Sequence, residues 1–372
     1  MTAKQKINLF LGNLISKVNP HLAVRIQDKR AFERYQSSNG DMDWKLKGYG
    51  NRMLYSAAGM RVGNNVLIGG GYRSWELEVS NQISIYDLES NQWLRDIEIP
   101  VDAAQTHQAI ACESDRYLYW LGGQLGPRVH PCIATCYILD LETCEWTRFI
   151  DFPRPMYGST AQFYDGKIHV IGGAEADRKS TATIHWSMPV KDGKPLADSW
   201  ADEPETPLEG THRGSVILDD YLYLPGGQIG ETPPKNGNPD VYDAKFGMED
   251  VFPEVARYSF KTKTWELIAP LPIQVSHNDC TVVTHNGKVL VVGGMELQDP
   301  DTHEIFLTDA IQEYDPATNT WSKRGSLVYR VKSMVCAVFQ GSLYVFGGQK
   351  DTSAEDPRPG RFTSNVWCAP LD

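Results

Sequence analysis

Three histidines, His107, His212 and His277, stand fourteen to sixteen residues ahead of glycine pairs that begin at Gly122, Gly226 and Gly293. At about the same offset from other glycine pairs come Tyr157 and the cationic stretch with Arg330 and Lys332. Arg213 and Asn278 follow two of the histidines, and Gln124, Gln228 and Gln349 come directly after glycine pairs. Imidazole titrates near neutrality and serves as general acid or base. Guanidinium forks and amides recognise carboxylates and hydroxyls, and tyrosine offers an aromatic face with a polar tip. Brought together, His107, His212, His277 and Tyr157 are candidates for proton transfer. Arg213, Arg330, Lys332, Gln124, Gln228, Gln349 and Asn278 are candidates for holding a ligand. A cluster of cations in a chain of formal net charge −11 calls for an anion, either a ligand or an internal carboxylate such as Asp279. The expected ligand is small, polar and anionic, of carbohydrate type. This chemistry needs no cofactor. The alternative is a divalent transition metal on His107, His212 and His277, because imidazole is a common ligand for such ions.

The elements that must position these residues follow from repetition. Apolar strand-like runs end in double glycines at Gly69, Gly122, Gly172, Gly226, Gly293 and Gly347, with spacings of 53, 50, 54, 67 and 54. Downstream of most comes a tyrosine or aspartate motif and then tryptophan: "IYDLESNQW", "ILDLETCEW", "YSFKTKTW" and "EYDPATNTW". The third unit carries the longer "IHWSMPVKDGKPLADSW". Periods of this size indicate a propeller or array. Six units predict an all-β, six-bladed propeller of four-stranded antiparallel sheets over residues 41–372. The last unit lacks its tryptophan strand, and "DMDWKLKG" around Trp44 can supply it, closing the ring and removing two bare sheet edges. The turns between first and second strands are short, as are those between third and fourth, so both sets share one face. The starts of the innermost strands and the loops after the glycine pairs share the other face, at the mouth of the central channel. That is why "THRGSVIL" opens with His212 and Arg213.

These residues are the signature of the kelch repeat, and the chain is identified as a member of that superfamily. The segments "HWSMPVKDGKPLADSW", "THRGSVILDDYLYLPGGQ" and "YRVKSMVCAVFQGSLYVFGGQKDTSAEDPRP" resemble a plant kelch-repeat family usually labelled galactose-oxidase-like. That resemblance implies the propeller and a membrane-anchored, secretory location, but it carries no firm activity. This chain shows no such anchor. The copper radical site of galactose oxidase sits on a seven-bladed propeller with extra domains, so copper oxidase chemistry is not expected here. In size the chain is similar to six-bladed sialic-acid mutarotases, a likeness of fold alone that implies acid–base sugar chemistry in the channel.

Composition excludes other classes. The acidic balance speaks against nucleic-acid and polybasic membrane binding. Seven cysteines without a CxxC pair read as buried thiols of a reducing, cytoplasmic setting, and the spacing of Cys132, Cys136 and Cys144 matches no common zinc pattern. No stretch is long and apolar enough to span a bilayer. Residues 1–40 read as an amphipathic helical extension through Ile7, Phe10, Leu11, Leu14, Ile15 and Val18. The loops after the fourth, fifth and sixth glycine pairs are long, as a lid would require. Two functions follow: a sugar-directed channel capable of isomerisation, mutarotation or elimination, and an interaction scaffold taking a protein partner on its top-face loops or N-terminal helix.

Overall fold

A computed structural model describes residues 42–372 apart from 74–76, 231–233, 243–249, 299–304 and 351–360. The helix expected over residues 1–40 lies outside the described residues. Each glycine-pair unit forms one antiparallel sheet, and six sheets build the ring. The innermost strands are Ala58–Val62, Ala109–Glu113, Thr160–Tyr164, Val216–Leu218, Val282–His285 and Val335–Phe339. In blade three the third strand, His185–Lys191, pairs with two short pieces, Lys194–Pro195 and Ala201–Asp202, which is how the longer third unit is accommodated. In blade six the rim strand is Lys45–Tyr49, paired antiparallel with Asn365–Pro370.

The apolar side chains of the strands pack between blades, so no blade has a complete core of its own. Tyr119 and Leu121 of blade two meet Ile168, Val170 and Trp186 of blade three. Val66 and Ile68 of blade one meet Ala337 and Phe346 of blade six. Two repeated devices fix the spacing. Each signature tryptophan donates its indole N–H to a backbone carbonyl at the end of the preceding blade. Trp93 reaches Tyr49, Trp146 reaches Glu98, Trp200 reaches Ile150, Trp265 reaches Pro204 and Trp321 reaches Ala269. Trp44 completes the set, donating to Ser326 O at 2.8 Å.

The second device is the glycine pair. Its second N–H donates to the neighbouring blade's linker, as Gly227 does to Val275 O at 2.9 Å and Gly348 to Leu54 O at 2.7 Å. Both glycines adopt left-handed backbone, and a Cβ on Gly226 would lie 2.2 Å from Val275 O, so the clasp excludes any side chain. In the first blade the clasp is Gly70–Gly71, one residue later than counting from Gly69 predicts, because three glycines run together there.

Candidate functional site

Just ahead of each innermost strand the backbone takes one left-handed residue. The six are Ser56, His107, Gly158, His212, His277 and Ser333, with φ between 48° and 61°. Side chains in this conformation carry a penalty of roughly 1–2 kcal/mol, and histidine sits there three times. Backbone hydrogen bonds link the positions from blade to blade: Gly158 N–H to His107 O, His277 N–H to His212 O and Ser333 N–H to His277 O.

The collar brings together the residues proposed for proton transfer. Blade three supplies glycine at its collar position, and His107 and His212 meet across that gap, ring centroids 5.1 Å apart. His212 and His277 stack face to face at 4.3 Å, 5° from parallel. Tyr157 packs on His107 at 4.7 Å, and its hydroxyl lies 2.8 Å from His212 Nε2. The other nitrogen of His212 faces the Asp279 carboxylate at 3.5 Å. This arrangement assigns the proton on Nδ1 to the carboxylate side and lets Nε2 accept from the phenol. Burial pushes the Asp279 carboxyl up, but His212, through its hydrogen bond and through its charge whenever it is protonated, together with His107 outweighs this and holds it below the usual carboxylate range. Tyr157 and His212 are almost wholly buried, whereas the Asp279 side chain keeps about a third of its surface open.

Arg178, which sequence reasoning did not single out, completes the line. Its guanidinium lies 4.6 Å over the Tyr157 ring. One arm donates to the Tyr157 hydroxyl at 3.4 Å, the other to Gln124 Oε1 at 2.6 Å. Gln124 in turn donates to Gly126 O. Arg178 lies in the loop after the third glycine pair, six residues beyond Gly172 and in left-handed backbone, as Arg128 lies six residues beyond Gly122. The one available signal was a cation in the short loop beside Tyr157.

The residues expected to hold a ligand are placed differently. Arg213 follows the collar histidine, points away from the channel and spends its fork on Leu208 O and Glu209 O over the Phe252 ring. Burial lowers its pKa to about 10, so it stays charged at neutral pH. The equivalent residues Gln108, Ser159 and Asn278 likewise donate to carbonyls at or beside the glycine pairs, those of Gly69, Gly172 and Pro225. The position after the collar is thus an interblade staple. Gln228 donates to Gly230 O and is fully buried, and Gln349 pairs through its backbone with Lys332. Lys332 is buried with its ammonium 3.9 Å from Met295 Sδ. Arg330 is exposed, three residues ahead of the collar. The expected anion clamp is therefore not assembled by Arg213 and Arg330.

The metal alternative also meets a geometric objection. His212 and His277 present flat faces to one another, and both His212 nitrogens face other partners. Among the described residues no three of His, Cys, Asp or Glu are grouped to hold a metal ion.

A cavity of about 430 Å³ runs along the channel, lined by the innermost strands. Asp279, Gln108 and Ser159 lie at its collar end, and Gly63 and Asp115 at the end formed by the turns. Between them Thr160, Gln162, Ser215 and Thr284 present hydroxyl and amide groups, with Thr160 Oγ1 and Ser215 Oγ 2.6 Å apart. On the top face the described part of the blade-four loop reaches the loop of blade two. Val129 N–H donates to Pro239 O, and His130 lies 3.0 Å from Asp240.

The model of the KLHDC2/KLHL20/DRC7 kelch-repeats domain matches the chain twice, over residues 55–294 and 106–348. A kelch repeat-containing protein of Arabidopsis thaliana is 32% identical over 312 residues, 84% of this chain and 72% of that protein. The kelch-like protein terF of Aspergillus terreus is 24% identical over 305 residues, 79% of this chain and 60% of that protein. Among solved structures, YjhT aligns with a TM-score of 0.67 over 86% of this chain and 95% of its own, at 14% identity, a likeness of fold. Among the described residues no helix is long and apolar enough to cross a membrane.

Proposed function

This chain belongs to the kelch-repeat family, and on that premise we propose that its propeller binds a small, hydroxyl-rich, carbohydrate-like ligand in the central channel. Asp279 contacts the ligand, with His212 and Tyr157 behind it as an acid–base relay. The observation that carries this reading is the line Arg178–Tyr157–His212–Asp279, which ends in a cavity where Thr160, Gln162, Ser215 and Thr284 stand among apolar side chains such as Val216 and Val282. A cavity of this volume falls in the range of small-molecule sites. Its polar groups suit sugar hydroxyls, which both donate and accept.

The carboxylate at the inner end favours a neutral ligand over the anionic one expected from the cation count, because a second carboxylate there would be repelled. His107 and His277 flank His212 and fix its ring. Proton transfer at a hydroxyl, as in isomerisation or mutarotation, is the chemistry such a relay supports.

The test is a thermal-shift panel of neutral sugars, polyols and uronic acids. A neutral ligand at a hundred times its dissociation constant should add roughly 2.7 kcal/mol of stability, and Asp279→Asn should abolish the gain. A panel without any stabilising sugar, or equal binding by Asp279→Asn, refutes the reading. One observation favours a scaffold instead. Leu297 and Phe306 pair across the long hairpin of blade five and are 41% and 39% exposed. A scaffold would lose its partner on Leu297→Asp with Phe306→Asp, while the sugar channel would be unaffected.

A further inference from the structure

We propose that Arg178 is a positioning residue that makes Tyr157 the proton store of the relay. This rests on the reading of the channel given above and deepens it. Arg178 is buried, which is expensive for a guanidinium unless its charge does specific work. Its loop is built to hold it: the residue itself takes left-handed backbone, φ 66°, and its N–H donates to Glu175 O. Blade two contributes the buried Gln124, whose carbonyl oxygen receives one arm of the fork. The remaining arm is thereby aimed at the phenol.

The groups that face the Tyr157 ring are Arg178, His212, His107 and the thiol-bearing Cys132. Burial pushes the Cys132 thiol up to about 11, so it stays neutral, and Arg178 is the fixed positive charge beside the phenol oxygen. Asp177, the carboxylate next to Arg178 in sequence, turns to its own loop and accepts from Lys179 N, Ser180 N and Ser180 Oγ.

The proton path balances. The Tyr157 O–H bond breaks as Nε2–H forms on His212. The Nδ1–H bond of His212 breaks as O–H forms on Asp279. Asp279 then gives that proton to a ligand oxygen. The ligand gains one proton, and the phenolate left on Tyr157 is held by Arg178. The reverse sequence takes a proton from the ligand and restores the phenol. Without the guanidinium the phenolate would sit uncompensated in a buried site, and the store would not discharge.

The test needs no ligand. Tyrosine ionisation in the full chain is followed by near-ultraviolet difference absorbance in wild type, Tyr157→Phe, Arg178→Gln and Arg178→Lys. Other buried tyrosines, such as Tyr258 and Tyr344, are pushed up to about 12 by burial, which leaves an early step separable. One tyrosine should ionise ahead of the rest in wild type and be missing from Tyr157→Phe. Its ionisation constant should fall about tenfold or more, one pKa unit, in Arg178→Gln and much less in Arg178→Lys. A step that survives Tyr157→Phe, or that is unmoved in Arg178→Gln, overturns the proposal. Should Arg178→Gln fail to fold, Gln124→Met removes the acceptor that aims the fork. It should shift the same step in the same direction, and no shift overturns the proposal equally. A shifted step in a protein that binds no sugar leaves Arg178 its role and removes the ligand reading. Sugar binding with no tyrosine step does the opposite.

Discussion

Acidification should destabilise this propeller well before its carboxylates are protonated, through two histidines remote from the collar. His169 and His185 lie on adjacent strands of blade three, both buried, with Nδ1 of the first 2.9 Å from Nε2 of the second. Burial lowers His169 from 6.5 to about 3, helped by His185, and lowers His185 to about 4 against the opposing pull of Glu203. Both are neutral in the native state at pH 5, whereas in the unfolded chain each takes up a proton near 6.5. The unfolded state therefore binds more protons, and stability falls as the pH drops below 6.5. The loss levels off only near the folded values of about 4 and about 3. For His185 the shift of two to three units corresponds to roughly 3 kcal/mol, and His169 adds a comparable amount. Carboxylates held low in the native state, such as Asp279 and Asp220, act in the same direction but only from about 3.8 downward, so the upper window belongs to histidine. The assay is urea unfolding at steps from about pH 7 to about pH 4.5, where free energy should fall by several kcal/mol. His185→Gln keeps a polar amide opposite His169 and removes one titrating ring, so the slope across this window should roughly halve. A variant whose acid limb runs parallel to wild type would refute the assignment.

Two further outcomes follow from the architecture. Trp44→Ala empties a buried site between the fifth and sixth blades and orphans Ser326 O, so it should cost about 3–5 kcal/mol in denaturant unfolding; a loss below about 1 kcal/mol would mean the N-terminal strand does not close the ring. His107→Gly should be about 1 kcal/mol more stable than His107→Ala, since both remove the ring but only glycine relaxes the left-handed backbone; equal midpoints would show that the collar is unstrained.

What was legible in the sequence and what was not divides along one physical line. The glycine pair and the tryptophan each perform one mechanical task in every blade, a clasp and an indole bond to the blade before. Because the task recurs, its spacing appears in the chain, and even the substitute Trp44 could be recognised from the missing sixth tryptophan. Counting from these landmarks also gives height along the channel, so His107, His212 and His277 fall at the collar and Tyr157 falls one residue ahead of it. Height does not give direction. In extended backbone successive side chains face opposite ways, and a single left-handed residue resets that alternation. His212 turns in while Arg213, one residue later, turns out to staple the blade. From sequence the two look like one polar pair. Arg178 was missed for another reason. Its loop repeats the backbone bonds of the loop after the first glycine pair, but spacing does not mark which loop side chain turns back to meet Gln124 and Tyr157. The repeated residues of this ring fix where the collar lies, and Arg178 beside Tyr157 and Asp279 beside His212 place the charged groups around it.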